Sequence, residues 1–115
     1  MAEIFQIRTL DWQVVRPELT EGVYGKLLEE GPVRTVLTRV APGGHFAPHR
    51  DRYGHLFYVL RGKGVLVAEG EEHPLAAGSV VRIVPGEDHG YRNPGPDELV
   101  LLSLNLPAQP SGIKK

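Results

Sequence analysis

Three of the five histidines in this 115-residue chain are spaced so that they could build a metal site. His49, Asp51 and His55 lie where one β-rich run ends and the next begins, around the link RDRYG, and His89 follows the turn PGED. Residues two apart on a strand point to the same face, so His49 and Asp51 can aim at one point. A short turn after Asp51 returns His55 beside them, and His89 must come from a neighbouring strand. Imidazole nitrogen suits Zn, Fe, Mn, Ni or Cu, and a carboxylate shifts the balance toward the harder of these ions. The remaining histidines are expected to be bland. His45, just after GG, reads as solvated, and His73, in EGEEHPL, reads as a surface turn residue with EGEE at a hairpin tip. Arg50 and Arg52 alternate with the ligands, so they point away from the metal toward solvent or a subunit contact.

The elements that must position these residues are short strands. Residues 33–40 (VRTVLTRV) are rich in β-branched side chains and end at the turn APGG. Residues 55–61 (HLFYVLR) enter the turn GKG and 65–68 (VLVA) leave it, which reads as a hairpin. Residues 79–84 (SVVRIV) end at PGED, and 98–106 (ELVLLSLNL) place Val100, Leu102, Leu104 and Leu106 on one face, expected to be the buried one. Glycine or proline breaks every stretch after residue 17 that could form a substantial helix. The first sixteen residues fit either strand or helix and are assigned as strand, and the tail QPSGIKK as frayed. Many short strands between frequent turns predict an all-β sandwich or barrel.

Composition narrows the function classes. The chain is long enough for one domain and one modest core. With 13 basic and 14 acidic residues it has no basic excess, so neither nucleic acid nor an anionic membrane is an expected partner. No apolar run is long enough to span a bilayer, and the start MAEIFQIRTL does not read as a signal peptide. The absence of cysteine excludes disulfides, redox dithiols and thiolate metal sites, and a cytoplasmic protein is expected. Few thermolabile residues and nine arginines against four lysines give a thermophile-like composition, which drift in a GC-rich genome explains equally well.

Two stretches carry a family resemblance. Residues 42–64, PGGHFAPHRDRYGHLFYVLRGKG, and 78–93, GSVVRIVPGEDHGYRN, resemble the two signature motifs of the cupin superfamily, G-x5-H-x-H-x3,4-E-x6-G and G-x5-P-x-G-x2-H-x3-N. Gly43, His49 and Gly62 match the first motif; Asp51 stands at its second histidine and His55 at its glutamate. Gly78, Gly86, His89 and Asn93 match the second, with Val84 in place of the proline and Pro85 next to it. The resemblance implies a single cupin domain over residues 1–115, a double-stranded β-helix or jelly-roll barrel, with motif one at about 43–62 and motif two at about 78–93. It also implies a mononuclear divalent metal held by His49, Asp51, His55 and His89. The pattern is similar to small bacterial cupins with four histidines that can hold manganese, with Asp51 replacing one of them. Mn or Fe is favoured, with Zn, Ni and Cu open. Aspartate is shorter than histidine, so Asp51 either ligates the metal or hydrogen-bonds a ligand; ligation is the reading adopted.

Strand parity then supplies the cavity. If His55 points inward, so do Phe57 and Val59; if His89 does, so does Tyr91; Phe46 lies just before the ligands and could cover them. Such a pocket, apolar with one polar centre, suits a small molecule. The opposite face of the same strand carries Leu56, Tyr58 and Leu60, which either the first strands or a second subunit must cover; a homodimer is favoured. The expected function is a metal-dependent enzyme, first an oxygenase acting on a small aromatic or dicarbonyl compound, then an isomerase. A non-catalytic binding or sensing module is the alternative, and a barrel whose metal only stabilises the fold is a third.

Overall fold

A computed structural model describes residues 1–107. After a three-residue 3-10 turn at Ile7–Thr9, nine strands follow: β1 Gln13–Val14, β2 Thr20–Glu29, β3 Arg34–His49, β4 Gly54–Arg61, β5 Lys63–Ala68, β6 Glu71–Ala76, β7 Val80–Ile83, β8 His89–Arg92 and β9 Leu99–Leu106. Every pairing is antiparallel, in the order β6-β5-β8-β3-β9-β4-β7, with β2 beside β3 and β1 beside β2. This is the expected all-β cupin architecture. Among the described residues no helix is long and apolar enough to cross a membrane.

The length of β3 makes the barrel. Its first half, Arg34–Val40, pairs with β9, while His45–His49 pairs with β8. The strand thus passes from one layer to the other through Pro42–Gly44, where β2 shifts register between Glu21 and Val23 and bends with it. The expected turn at APGG is therefore a bend inside a continuous strand. Between the layers lie Val23, Val40, Phe57, Val59, Leu66, Leu99 and Leu101, all buried.

Several expectations need correction. Strands β4 and β5 do not form a hairpin: β4 pairs with β7 and β9, β5 with β6 and β8. Gly62 turns the chain between layers at φ +87°, and a Cβ there would collide with the Glu98 carbonyl, so GKG serves a crossing and not a hairpin. Of the first sixteen residues only Gln13–Val14 are strand. His73 is exposed as expected, but on strand β6; the hairpin tip is Glu69–Gly70. Strands β2 and β6 were not anticipated. The tail QPSGIKK lies outside the described residues.

The face assigned to β9 is also reversed. Leu99 and Leu101 are fully buried and Ser103 and Asn105 continue the inner side, whereas Val100, Leu102, Leu104 and Leu106 look outward and are half-buried. Inner polar groups at one end of the strand face a cavity, which a reading of alternation takes for solvent.

Candidate metal centre

His49 and His89 are direct cross-strand partners on β3 and β8, so both rings enter the barrel on one side, with centroids 4.4 Å apart. His55, the second residue of β4, reaches the same space, its ring 4.6 Å from that of His89. Asp51, in the link between β3 and β4, inserts its carboxylate among them. Its Oδ2 lies 3.0 Å from His49 Nε2, 2.9 Å from His55 Nε2 and 3.9 Å from His89 Nε2. The sequence-derived quartet converges in space. Within it His49, Asp51 and His89 have ligand atoms all within 4.8 Å of one another, and this triad could hold a metal ion.

The chemistry of these donors fits a cation. His49 Nδ1 lies 2.9 Å from the Ala47 carbonyl and His89 Nδ1 2.9 Å from the Glu87 carbonyl. A carbonyl oxygen only accepts, so each Nδ1 carries the proton and donates it. When neutral, both rings then turn an Nε2 lone pair toward the site, where the Asp51 carboxylate also accepts. Facing lone pairs repel unless a cation lies between them, and backbone acceptors behind ligating histidines are the usual way of orienting them. His55 differs. Its Nδ1 meets the Asn105 side-chain oxygen at 3.1 Å, and an amide can accept or, turned over, donate. His55 can therefore present either a lone pair or an N–H to the centre.

Electrostatics bear on His55, His89 and Asp51. Burial pushes His55 and His89 below the ordinary imidazole value, so both stay neutral near pH 7. Burial alone would raise the Asp51 carboxyl. Hydrogen bonds from His55 and Arg16, with the charge of the Arg16 guanidinium, outweigh it and hold the group ionised below its usual value.

A cavity of about 390 Å³ adjoins the cluster. Phe46, Phe57 and Tyr91 line it, with Tyr91 edge-on to both phenyl rings. Phe46 faces inward because of a bulge: Phe46 pairs with Tyr91 and His49 with His89, so β3 advances three residues while β8 advances two. Phe46 consequently stacks on His49, centroids 4.7 Å apart. Gly90 permits the bulge, since a Cβ there would lie 2.8 Å from Pro48 N. Val59 points inward too but is sealed in the core and does not line the cavity. His45 is half-buried away from the cavity, and Arg50 turns outward to the Gly86 carbonyl.

The sequence reading missed Arg16, Thr38, Tyr53, Ser103 and Asn105, all on the cavity wall. Ser103 and Asn105 had a signal, as polar residues interrupting an aliphatic strand. Arg16 had none, because its partner Asp51 is 35 residues away.

A profile of the Cupin domain family matches residues 36–105. A search of curated protein sequences finds no match. Among solved structures the chain is similar to a predicted oxalate decarboxylase from Thermotoga maritima (TM-score 0.83, 21% identity, covering 91% of this chain and 99% of that one). It is also similar to the polyketide cyclase RemF from Streptomyces resistomycificus (0.84, 22%, 95% and 81%). A third is a sugar phosphate isomerase of the cupin superfamily from Silicibacter pomeroyi (0.77, 15%, 90% and 75%). At these identities the likeness carries the fold, while the family profile covers more than half of the sequence: the chain belongs to the cupin family.

Proposed function

We propose that this protein is a metal-dependent cupin that acts on a small molecule, with His49, Asp51, His55 and His89 holding one divalent ion. The observation that carries the reading is the pair of committed Nδ1 protons on His49 and His89, which leaves two Nε2 lone pairs and a carboxylate facing one point. Mn or Fe is the favoured ion. When bound, it would supply a Lewis-acidic centre with positions open to a chelating ligand or dioxygen. The chain's own residues do the rest. Ala47, Glu87 and Asn105 fix the rings. Phe46, stacked on His49, shields one side of the centre from water. Tyr91, which burial keeps protonated, adds a neutral phenol to the aromatic wall.

The activity proposed first is an oxygenase acting on a small aromatic or dicarbonyl compound, and metal-dependent isomerisation second. Metal analysis of the purified protein, followed by oxygen uptake and product analysis with a panel of small chelators, tests it. Stoichiometric metal with turnover of one panel member supports the enzyme reading. Metal and ligand binding with no turnover across the panel would favour a binding or sensing module. Absence of metal after incubation with Mn, Fe, Zn, Ni and Cu would sink the metal reading.

We further infer that the whole chain acts as one cupin domain and that two copies pair through the outer face of the β3-β9-β4-β7 layer. Val80, Tyr58, Leu102 and Leu37 form one cross-strand row there. Tyr58 is 43% exposed and Val80 61%, and the N-terminal strands lie beside β3 instead of over this face. An apolar stripe of that kind favours association.

A further inference from the structure

The segment ahead of β2 is a strap across one end of the cavity, and Leu10, Asp11, Gln13, Val14, Val15 and Arg16 contribute to its lining. It is tied down along its length. Lys26 Nζ donates to the Ile7 carbonyl at 3.0 Å, and Val15 N–H donates to the Val23 carbonyl at 3.1 Å. The Trp12 ring holds the Lys26 ammonium at 4.7 Å and the Arg39 guanidinium at 4.4 Å.

At the end of the strap the backbone does something unfavourable. Arg16 has φ +40°, a left-handed conformation that a long side chain rarely adopts. The Thr20 hydroxyl, donating to the Val15 carbonyl, and the Leu19 N–H, donating to the Arg16 carbonyl, keep it there. Strain held this firmly points to a role for the side chain it aims. The Arg16 guanidinium lands on the metal cluster: Nη1 donates to Asp51 Oδ1 at 3.0 Å, the oxygen turned away from the histidines. Its Nε reaches only the exposed Glu18, at 3.5 Å, and Nη2 makes no hydrogen bond among the described residues. Arg16 is 39% exposed, on the cavity side of the carboxylate that faces the metal position.

The charges of the cavity wall add a second, independent observation. Two arginines, Arg16 and Arg34, balance two aspartates, Asp11 and Asp51, among the lining residues. A divalent ion at the histidines would add two positive charges to a cavity whose arginines are already paired, Arg16 with Asp51 and Glu18 and Arg34 with Glu30. In a partly desolvated space that excess attracts an anion strongly.

We propose that the ligand of this cavity is a small carboxylate that bridges the bound ion and the free Nη2 edge of Arg16. A carboxylate offers one oxygen to the ion and another to a guanidinium edge, whose planar donors match it in geometry as well as charge. The aromatic wall of Phe46, Phe57 and Tyr91 lies beside this axis for an apolar remainder. A cavity of about 390 Å³ limits the ligand to a small molecule.

The proposal rests on the metal reading above, and its test separates the two. Metal content is measured first in wild type, Arg16→Gln and Arg16→Lys. Calorimetric titration then compares pyruvate with pyruvamide and malonate with malonamide, pairs that differ chiefly in charge. The acids are expected to bind wild type more tightly than the amides. Arg16→Gln should retain metal, weaken the acids about tenfold or more and leave the amides unchanged, with Arg16→Lys in between. Equal binding of acids and amides by wild type, or undiminished acid binding by Arg16→Gln, overturns the proposal. Loss of metal from Arg16→Gln also overturns it, because the guanidinium would then serve to hold Asp51. If wild type takes up no metal, the metal reading fails by itself. The same titrations on the metal-free protein then decide whether Arg16 anchors the acids.

Discussion

His49 and His89 face each other directly across β3 and β8, and each donates its Nδ1 proton to a carbonyl two residues before it, Ala47 and Glu87. The pairing sets the distance between the rings and the carbonyls set their tautomers. Both properties are built into strand backbone, so the donor arrangement is as rigid as the sheet.

Removing either ring should therefore cost metal without unfolding the barrel. His49→Ala, His55→Ala and His89→Ala are each expected to weaken metal binding by more than the about 10–100-fold typical of losing a group that only orients a ligand. Circular dichroism should remain that of a folded β protein. Full metal occupancy in any one variant would remove that residue from the ligand set.

For Asp51 the expectation is graded by chemistry. Asp51→Ala should lose metal as the histidine variants do, because Oδ2 lies within 3.9 Å of all three Nε2 atoms. Asp51→His should retain metal by supplying a fourth imidazole. Equal metal affinity in wild type and Asp51→Ala would reduce the carboxylate to a hydrogen-bonding partner of the histidines.

The metal-free protein should lose stability on acidification, and the sign follows from the buried rings. Folded His55 and His89 titrate below the unfolded imidazole value of about 6.5. Their contribution is whole above that pH and is lost as pH falls through their depressed folded values, because the unfolded chain binds protons first. Asp51 acts in the same direction at lower pH, below about 4. The melting midpoint should fall between pH 7.5 and 5.5, and metal affinity with it, since ligating imidazoles must be neutral. A midpoint independent of pH in that window would contradict the burial argument.

Asn93 supplies a prediction independent of metal. It is 1% exposed; its Nδ2 donates to the Val40 and Asp97 carbonyls, and its Oδ1 accepts from Gly95 N–H. Asn93→Ala would orphan these backbone groups and should destabilise the fold by about 1–3 kcal/mol. Chemical denaturation measures this directly. An unchanged midpoint would mean that water replaces the amide.

Assembly can be read by light scattering at micromolar concentration. A mass of two chains is expected, with Leu56→Asp or Tyr58→Asp shifting it toward one, since both side chains lie on the outer face of β4. A wild-type monomer whose solubility is unaffected by Leu56→Asp would mean the stripe has no partner.

Much of the site was legible in the chain because its information is local. The glycines and proline around His89 and the inward run of His55 and Phe57 follow from the two-residue period of a strand and the chemistry of turns, whereas Asp51 reaches the cluster from the link after β3 and not by strand parity. What that period does not say is which face is inside. On β9 the aliphatic face proved to be the outer one, because Ser103 and Asn105 are polar toward a cavity, bonding Thr38 and His55 on the neighbouring strands β3 and β4. Crossing and bulging are likewise decided between strands. Gly62 separates two layers where a hairpin looked natural, and one extra residue in β3 brings Phe46 onto the face of His49. Arg16 reaches Asp51 from a segment with no local signature, since a bond between residues so far apart in sequence exists only once the strap has been laid over the barrel and its left-handed turn made. The residue types and their spacing thus specify which donors the site can use. Only long-range packing, which closes the sheet and chooses its inner face, decides what those donors meet.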